Sequence, residues 1–256
     1  MRRKTGWTEW ADRRVSLYTG CTHGCRYCFA RADALRFKRI EDATEWERPK
    51  IREREVARKW TRIRGVIGFP GTHDITPENV TRCGALLEGM LAAGNKVLIV
   101  TKPHVACVEH LCQRLRMYRE QIEFRMTIGA EDDALLGYWE PRAPRFDERM
   151  EAACLACASE YRVSFSVEPM LDPSNIRRLL GELRPFAQSI WIGKMNEVRR
   201  RVIIETEADR LQVERIERWQ RDERIMDIVR ALAGDPIIRW KDSIRGVITR
   251  SSELAL

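Results

Sequence analysis

The strongest chemical signal in the chain is Cys21-Thr22-His23-Gly24-Cys25-Arg26-Tyr27-Cys28, a C-x3-C-x2-C spacing on a short segment. Three thiolates on one tight loop can hold three irons of a cubane iron–sulfur cluster and leave the fourth without a protein ligand. Electron-transfer clusters use four cysteines, whereas an open metal position can take a substrate or cofactor. Gly20 and Gly24 would let the backbone wrap closely around such a cluster. Zinc is the alternative, because Cys21, His23, Cys25 and Cys28 offer the nitrogen and sulfur donors it prefers. Their spacing is cramped beside paired C-x2-C modules, and no second ligand pair follows nearby. The other five cysteines, Cys83, Cys107, Cys112, Cys154 and Cys157, fall in expected helices and read as packed thiols, so one cluster is expected.

The elements that must carry this loop alternate. Strands are expected at Arg14–Tyr18, Val66–Phe69, Lys96–Thr101, Ile122–Thr127, Val163–Val167 and Ile190–Ile192, each short and rich in Val, Ile or aromatic residues. After the first connection, helices at Pro77–Ala93, His104–Arg119, Phe146–Tyr161 and Ser174–Leu183 separate them. Thr76 before Pro77 reads as a helix cap followed by an N1 proline, and Gly94-Asn95 as that helix's stop. Alternating strands and helices imply parallel βαβ units with right-handed crossovers. Six such strands suit a partial, open (β/α)6 barrel. Residues 205–233 read as one long amphipathic helix, and Ile237–Ile248 as a short strand and loop over the barrel mouth. No linker divides the sequence, so residues 1–256 are expected to form a single domain, with a barrel core at 12–200 and a C-terminal helical extension at 201–256.

Barrel enzymes place chemistry at the C-terminal ends of their strands, and polar groups recur there. Gly71-Thr72-His73-Asp74 follows the second strand, Lys102 the third and Thr127 ends the fourth. Glu168 follows the fifth, Lys194 and Asn196 the sixth, and Lys241 lies in the terminal segment. An apolar core needs none of these charges. Lys102, Glu168, Lys194, Asn196 and Lys241 together are expected to bind an anionic substrate. His73 reads either as a proton donor or substrate contact, or as a hydrogen-bonded loop histidine, with Asp74 capping the following turn.

The cysteine spacing, the aromatic Tyr27 before the third cysteine and the placement after a first strand resemble the radical S-adenosylmethionine (SAM) superfamily. The resemblance covers roughly residues 12–200. It implies a radical SAM barrel and a [4Fe–4S] cluster on Cys21, Cys25 and Cys28, whose open iron chelates the amino and carboxylate groups of SAM. It further implies reductive cleavage to a 5′-deoxyadenosyl radical that abstracts hydrogen from a substrate, with electrons from a reductant such as flavodoxin or ferredoxin. By the same resemblance Tyr27 lies near the adenine, and Thr127 near the SAM ribose or carboxylate. Gly71-Thr72-His73 takes the place of the family's Gly-Gly-Glu element but departs from it. The SAM amino group would therefore meet backbone carbonyls around Gly71 and Thr72. Trp139-Glu140-Pro141-Arg142-Ala143-Pro144, followed by Glu148-Arg149, resembles the spore photoproduct lyase-like branch, in which a basic residue here helps hold the SAM carboxylate. Arg149 is preferred over Arg142 for that role; a salt bridge is the other reading of both.

Composition adds the environment and a hint of substrate. Residues 1–64 hold 18 Lys or Arg against 9 Asp or Glu, so the whole net charge of +8 sits in the first quarter. With Trp7, Trp10, Trp46 and Trp60 interleaved, this segment suits phosphates and base stacking, or else is a solvated, salt-laced surface. The branch resemblance, to an enzyme that repairs a thymine dimer in DNA, points the same way, toward DNA or RNA. No residue matches that enzyme's hydrogen-donor cysteine. A maturase acting on a protein, peptide or small metabolite is the second reading; the absence of cysteines after Cys157 weighs against peptide-modifying members, which often carry auxiliary clusters. A non-catalytic iron–sulfur nucleic-acid-binding or sensor protein is the third. No apolar run suits a signal peptide or a membrane span, so a cytoplasmic protein with no membrane partner is expected, in which thiols remain reduced.

Overall fold

A computed structural model describes residues 5–253. The residues at either end of the expected 1–256 domain lie outside that range. Among the described residues nine strands form: β1 (Arg13–Arg14), β2 (Tyr18–Thr19), β3 (Lys50–Ile51), β4 (Val66–Phe69), β5 (Lys96–Thr101), β6 (Ile122–Thr127), β7 (Arg162–Val167), β8 (Ile190–Ile192) and β9 (Ile238–Trp240). Seven of them make one parallel sheet in the order β1-β4-β5-β6-β7-β8-β9, while β2 and β3 pair separately and antiparallel. Helices Val80–Ala92, Val105–Arg114, Phe146–Ala158 and Ile176–Leu183 cover the outer face between successive strands. The result is a partly closed (β/α) half-barrel with a C-terminal helical extension. β4 and β5 read as nearly continuous apolar runs, as parallel strands covered on both faces do, while β6 and β7 alternate; Ile67, Ile99, Phe124 and Phe165 are fully buried.

Several boundaries differ from expectation for identifiable reasons. The first strand splits, because the backbone between β1 and β2 finds partners outside a ladder: Val15 N–H donates to Gly68 O at 3.0 Å, and Leu17 N–H to His73 Nε2 at 3.1 Å. The helix after β4 begins at Val80 rather than at Pro77. Asn79 folds its side chain back, accepting from Thr76 N–H and donating to Asp74 O, so a turn precedes the helix. The helical stretch at 205–233 is divided into Glu207–Trp219 and Asp222–Ala231. Gln220, at the break, is buried and reaches into the barrel, accepting from Met195 N–H and donating to Met170 O. The terminal segment adds β9 as the seventh strand and then a helix, Asp242–Glu253, in place of the expected loop. Among the described residues no helix is long and apolar enough to cross a membrane.

Candidate active site

The cysteine loop leaves β2 and is pinned at several points. Cys21 N–H donates to Trp46 O at 2.8 Å and Arg26 N–H to Trp139 O at 2.9 Å. Gly20 (φ +104°) passes so close to the chain that a Cβ there would sit 2.6 Å from Trp46 O. Arg142 clamps the outside: its Nε donates to Thr22 O at 2.5 Å and its guanidinium pairs with Glu47 at 2.7 Å. Cys28 caps helix Phe29–Arg36, its Sγ accepting from Arg31 N–H. Burial pushes the Cys21 thiol up to about 12, with the Asp74 charge adding to it, and pushes Cys25 higher still. Thiols in such surroundings stay protonated until a cation displaces the proton.

These residues fit an iron–sulfur cluster better than zinc. All three cysteines are free and half-buried and line one cavity. His23, needed as the fourth zinc donor, has both ring nitrogens turned elsewhere: Nε2 lies 3.0 Å from His104 Nε2, and Nδ1 3.3 Å from Asp74 Oδ2. Among the described residues no three His, Cys, Asp or Glu side chains converge on the position of a single metal ion. Thiolates that each bind a different iron need not converge. The other five cysteines sit in the outer helices and do not line the cavity.

The cavity, about 370 Å³, opens where the sheet's strands end, and every residue expected at the site except Arg149 lines it. Its size is within the range of small-molecule sites. Gly71, Thr72 and His73 follow β4. Among the described residues no group donates to the carbonyls of Gly71 and Thr72. His73 is held on both ring nitrogens, by Leu17 N–H and by Asp74 O; burial pulls it down to about 4, so it is a neutral loop histidine. Asp74 is the hub beneath them. It accepts from Thr101 Oγ1, from Lys102 N–H and from its neighbour Ile75 N–H. Burial would raise its carboxyl, but His23, Lys102 and Thr101 hold it well below the usual range.

Arg149 lies behind the cavity wall. It is fully buried. Its guanidinium pairs with Glu140 at 2.5 Å and donates to Pro144 O at 2.8 Å and Thr127 O at 3.2 Å. Glu140 accepts in turn from the Tyr27 hydroxyl. Burial acts to raise Glu140, yet Arg149 and Lys102 hold it below the usual carboxylate range. The network therefore locks Tyr27 and the cysteine loop onto the end of β6. A partly buried cation that does face the cavity is Lys102, 3.9 Å from Asp74 Oδ2 and 5.8 Å from the Tyr27 ring. Burial opposes its charge, but Cys25, Glu140 and Asp74 keep it above the usual lysine range.

The far wall is equally engaged. Lys241 donates to Gly6 O at 2.8 Å, pairs with Glu9 at 2.8 Å and Glu168 at 3.4 Å, and lies 3.9 Å from the Trp10 ring. It thus ties the turn at Gly6–Glu9 to the wall and is not an unpaired cation awaiting an anion. Burial pushes Glu168 up to about 7 despite Lys241. Lys194 is 3.5 Å from Asp222. Sequence reasoning missed Glu9, His104 and the positioning work of Asp74 and Glu140, because each acts through a partner far away in the chain. It also missed Arg14 and Arg201, which line the cavity.

No family model matches the chain. An uncharacterised protein of Acidianus two-tailed virus, ORF301, is 27% identical over 174 residues, 64% of this chain and 57% of that protein. A solved spore photoproduct lyase variant with bound AdoMet and dinucleoside spore photoproduct superposes with a TM-score of 0.50 at 19% identity, covering 82% of this chain and 62% of the lyase. Streptococcus suis SuiB bound to the precursor peptide SuiA gives 0.55 at 12% identity, covering 94% of this chain and 50% of SuiB. The chain thus spans between half and two thirds of the length of these proteins. The fold is a partly closed parallel half-barrel. It is shared with both solved enzymes and does not single out one branch.

Proposed function

We propose that the chain holds a [4Fe–4S] cluster on Cys21, Cys25 and Cys28, cleaves S-adenosylmethionine reductively, and modifies or repairs a nucleic-acid or nucleotide substrate. The observation that carries this reading is the opening of three otherwise unliganded thiols and a partly buried lysine onto one cavity at the strand ends. When bound, cluster and SAM supply a carbon-centred radical for hydrogen abstraction. Lys102 is suited to the SAM carboxylate, as a partly buried ammonium facing the cavity, and takes the role that Arg149 is too enclosed to fill. The free carbonyls of Gly71 and Thr72 suit the SAM amino group. Tyr27, anchored by Glu140, sets one wall against the adenine, and Thr127 stands at the end of β6 for the ribose. Lys194, Asn196 and Glu168 remain on the far side for substrate. The basic first quarter supports a polyanionic substrate.

The cofactor assignment is tested on anaerobically reconstituted, dithionite-reduced protein by electron paramagnetic resonance. Addition of SAM should change the cluster signal, and Lys102→Met should weaken SAM binding at least tenfold with iron content retained. A signal indifferent to saturating SAM would overturn it.

A further inference from the structure

Two arginines at the cavity rim are tied to no carboxylate that neutralises them well. Arg14 at the end of β1 has no acidic partner among the described residues. Arg201 has one, Glu197 Oε2 at 3.5 Å. Both guanidiniums lie over the same ring, that of Phe29, at 5.9 and 6.0 Å from its centroid. Phe29 directly follows Cys28 and lines the cavity. Arg14 is also held in place: its stem crosses Gly71 so closely that a Cβ there would sit 2.2 Å from Arg14 Cγ. Two forked cations that share an aromatic ring keep their hydrogen-bonding edges for another group, and a guanidinium fork matches the oxygens of a phosphate.

The charge does not stop at the rim. Helix Phe29–Arg36 runs outward from Phe29 for about 10 Å at ~1.5 Å per residue. It ends at Arg36-Phe37-Lys38-Arg39, where all four residues are exposed. Among the described residues none of these three cations has an acidic partner. The Arg36 and Arg39 guanidiniums lie 5.3 and 5.2 Å from the Phe37 ring, which is 55% exposed. A single carboxylate would satisfy the rim alone. A polyanion satisfies both groups, and an exposed aromatic among cations suits a nucleic-acid strand.

We propose that Arg14 and Arg201 clamp one phosphate of a single nucleic-acid strand at the cavity rim, while the adjoining strand runs over Arg36–Arg39. This rests on the nucleic-acid reading above. It is tested by fluorescence anisotropy of a labelled single-stranded oligothymidylate with iron-loaded protein, between roughly 50 and 200 mM salt. Each phosphate contact on a single strand contributes about 0.7 to the slope of log affinity against log salt. Arg14→Gln/Arg201→Gln should therefore weaken binding and flatten that slope by about 0.7, one phosphate contact, and Arg201→Gln alone by no more than that. Arg14→Lys/Arg201→Lys should restore the slope, because it keeps the charge. Iron content and the melting midpoint report whether each variant is folded. An unchanged slope in folded glutamine variants would overturn the clamp. So would displacement of the oligonucleotide by polyglutamate as readily as by unlabelled oligothymidylate. Because no SAM turnover is read, failure of this test and failure of SAM cleavage are separate results.

Discussion

Replacing Arg149 with Met removes the main partner of a fully buried carboxylate. Glu140 would keep only the Tyr27 hydroxyl and the more distant Lys102 ammonium as stabilising neighbours. Breaking a buried pair from one side typically costs about 3–5 kcal/mol, which in a chain of this size lowers the melting midpoint by roughly 6–20 °C. Glu140→Gln/Arg149→Met should lose much less, because no buried charge is stranded. The deficit of Arg149→Met should also depend on pH. With Arg149 gone, burial raises the Glu140 carboxyl above its unfolded value, so the penalty is present at neutral pH and shrinks as falling pH protonates the group. Thermal melts of the reconstituted variants followed by circular dichroism, at pH 5 and 7.5, measure all three quantities. A loss under about 1 kcal/mol for the single variant, combined with a large fall in SAM affinity, would refute the argument and return Arg149 to a ligand role.

The remaining predictions concern the loop, the far wall and the outer thiols. Gly20→Ala forces a Cβ against Trp46 O at a positive φ; it should cost roughly 1–3 kcal/mol and lower iron content after desalting. Glu168, raised to about 7, stabilises the fold when protonated. That contribution is complete below its unfolded value and is lost as pH rises through about 7. Melting of the wild type relative to Glu168→Gln should therefore fall between pH 5 and 7.5, and a parallel pair of curves would count against it. Cys83, Cys107 and Cys112 are buried in the outer helices, so the wild type should hold about four irons per chain and their replacement by Ser should leave that unchanged; iron clearly above four that falls on replacement would implicate them in a second cluster.

Much of this site is legible in the sequence because it depends on local spacing. The polar residues at strand ends follow from alternating β and α periodicity, the cysteine loop from its own C-x3-C-x2-C spacing, and Tyr27 from the resemblance that this spacing carries. Four strands, β4, β5, β6 and β8, have the expected limits. What was not legible depends on partners distant in sequence. Arg149 reads as a cavity cation until Glu140 and the carbonyls of Pro144 and Thr127 close around it. Lys241 reads the same way until Glu9, more than two hundred residues earlier, folds onto it. The break at Gln220 is equally invisible, because the apolar spacing continues through it and only the buried amide contacts to Met195 and Met170 bend the chain.

The central claim is tested most directly by incubating anaerobically reconstituted, dithionite-reduced protein with SAM and measuring 5′-deoxyadenosine, with Cys28→Ala alongside and with single-stranded DNA and RNA added in parallel. The account predicts product from the wild type, in the presence of nucleic acid if not without it, and none from the variant. A fully loaded, reducible cluster that yields no 5′-deoxyadenosine under any of these conditions, or equal product from Cys28→Ala, would contradict it.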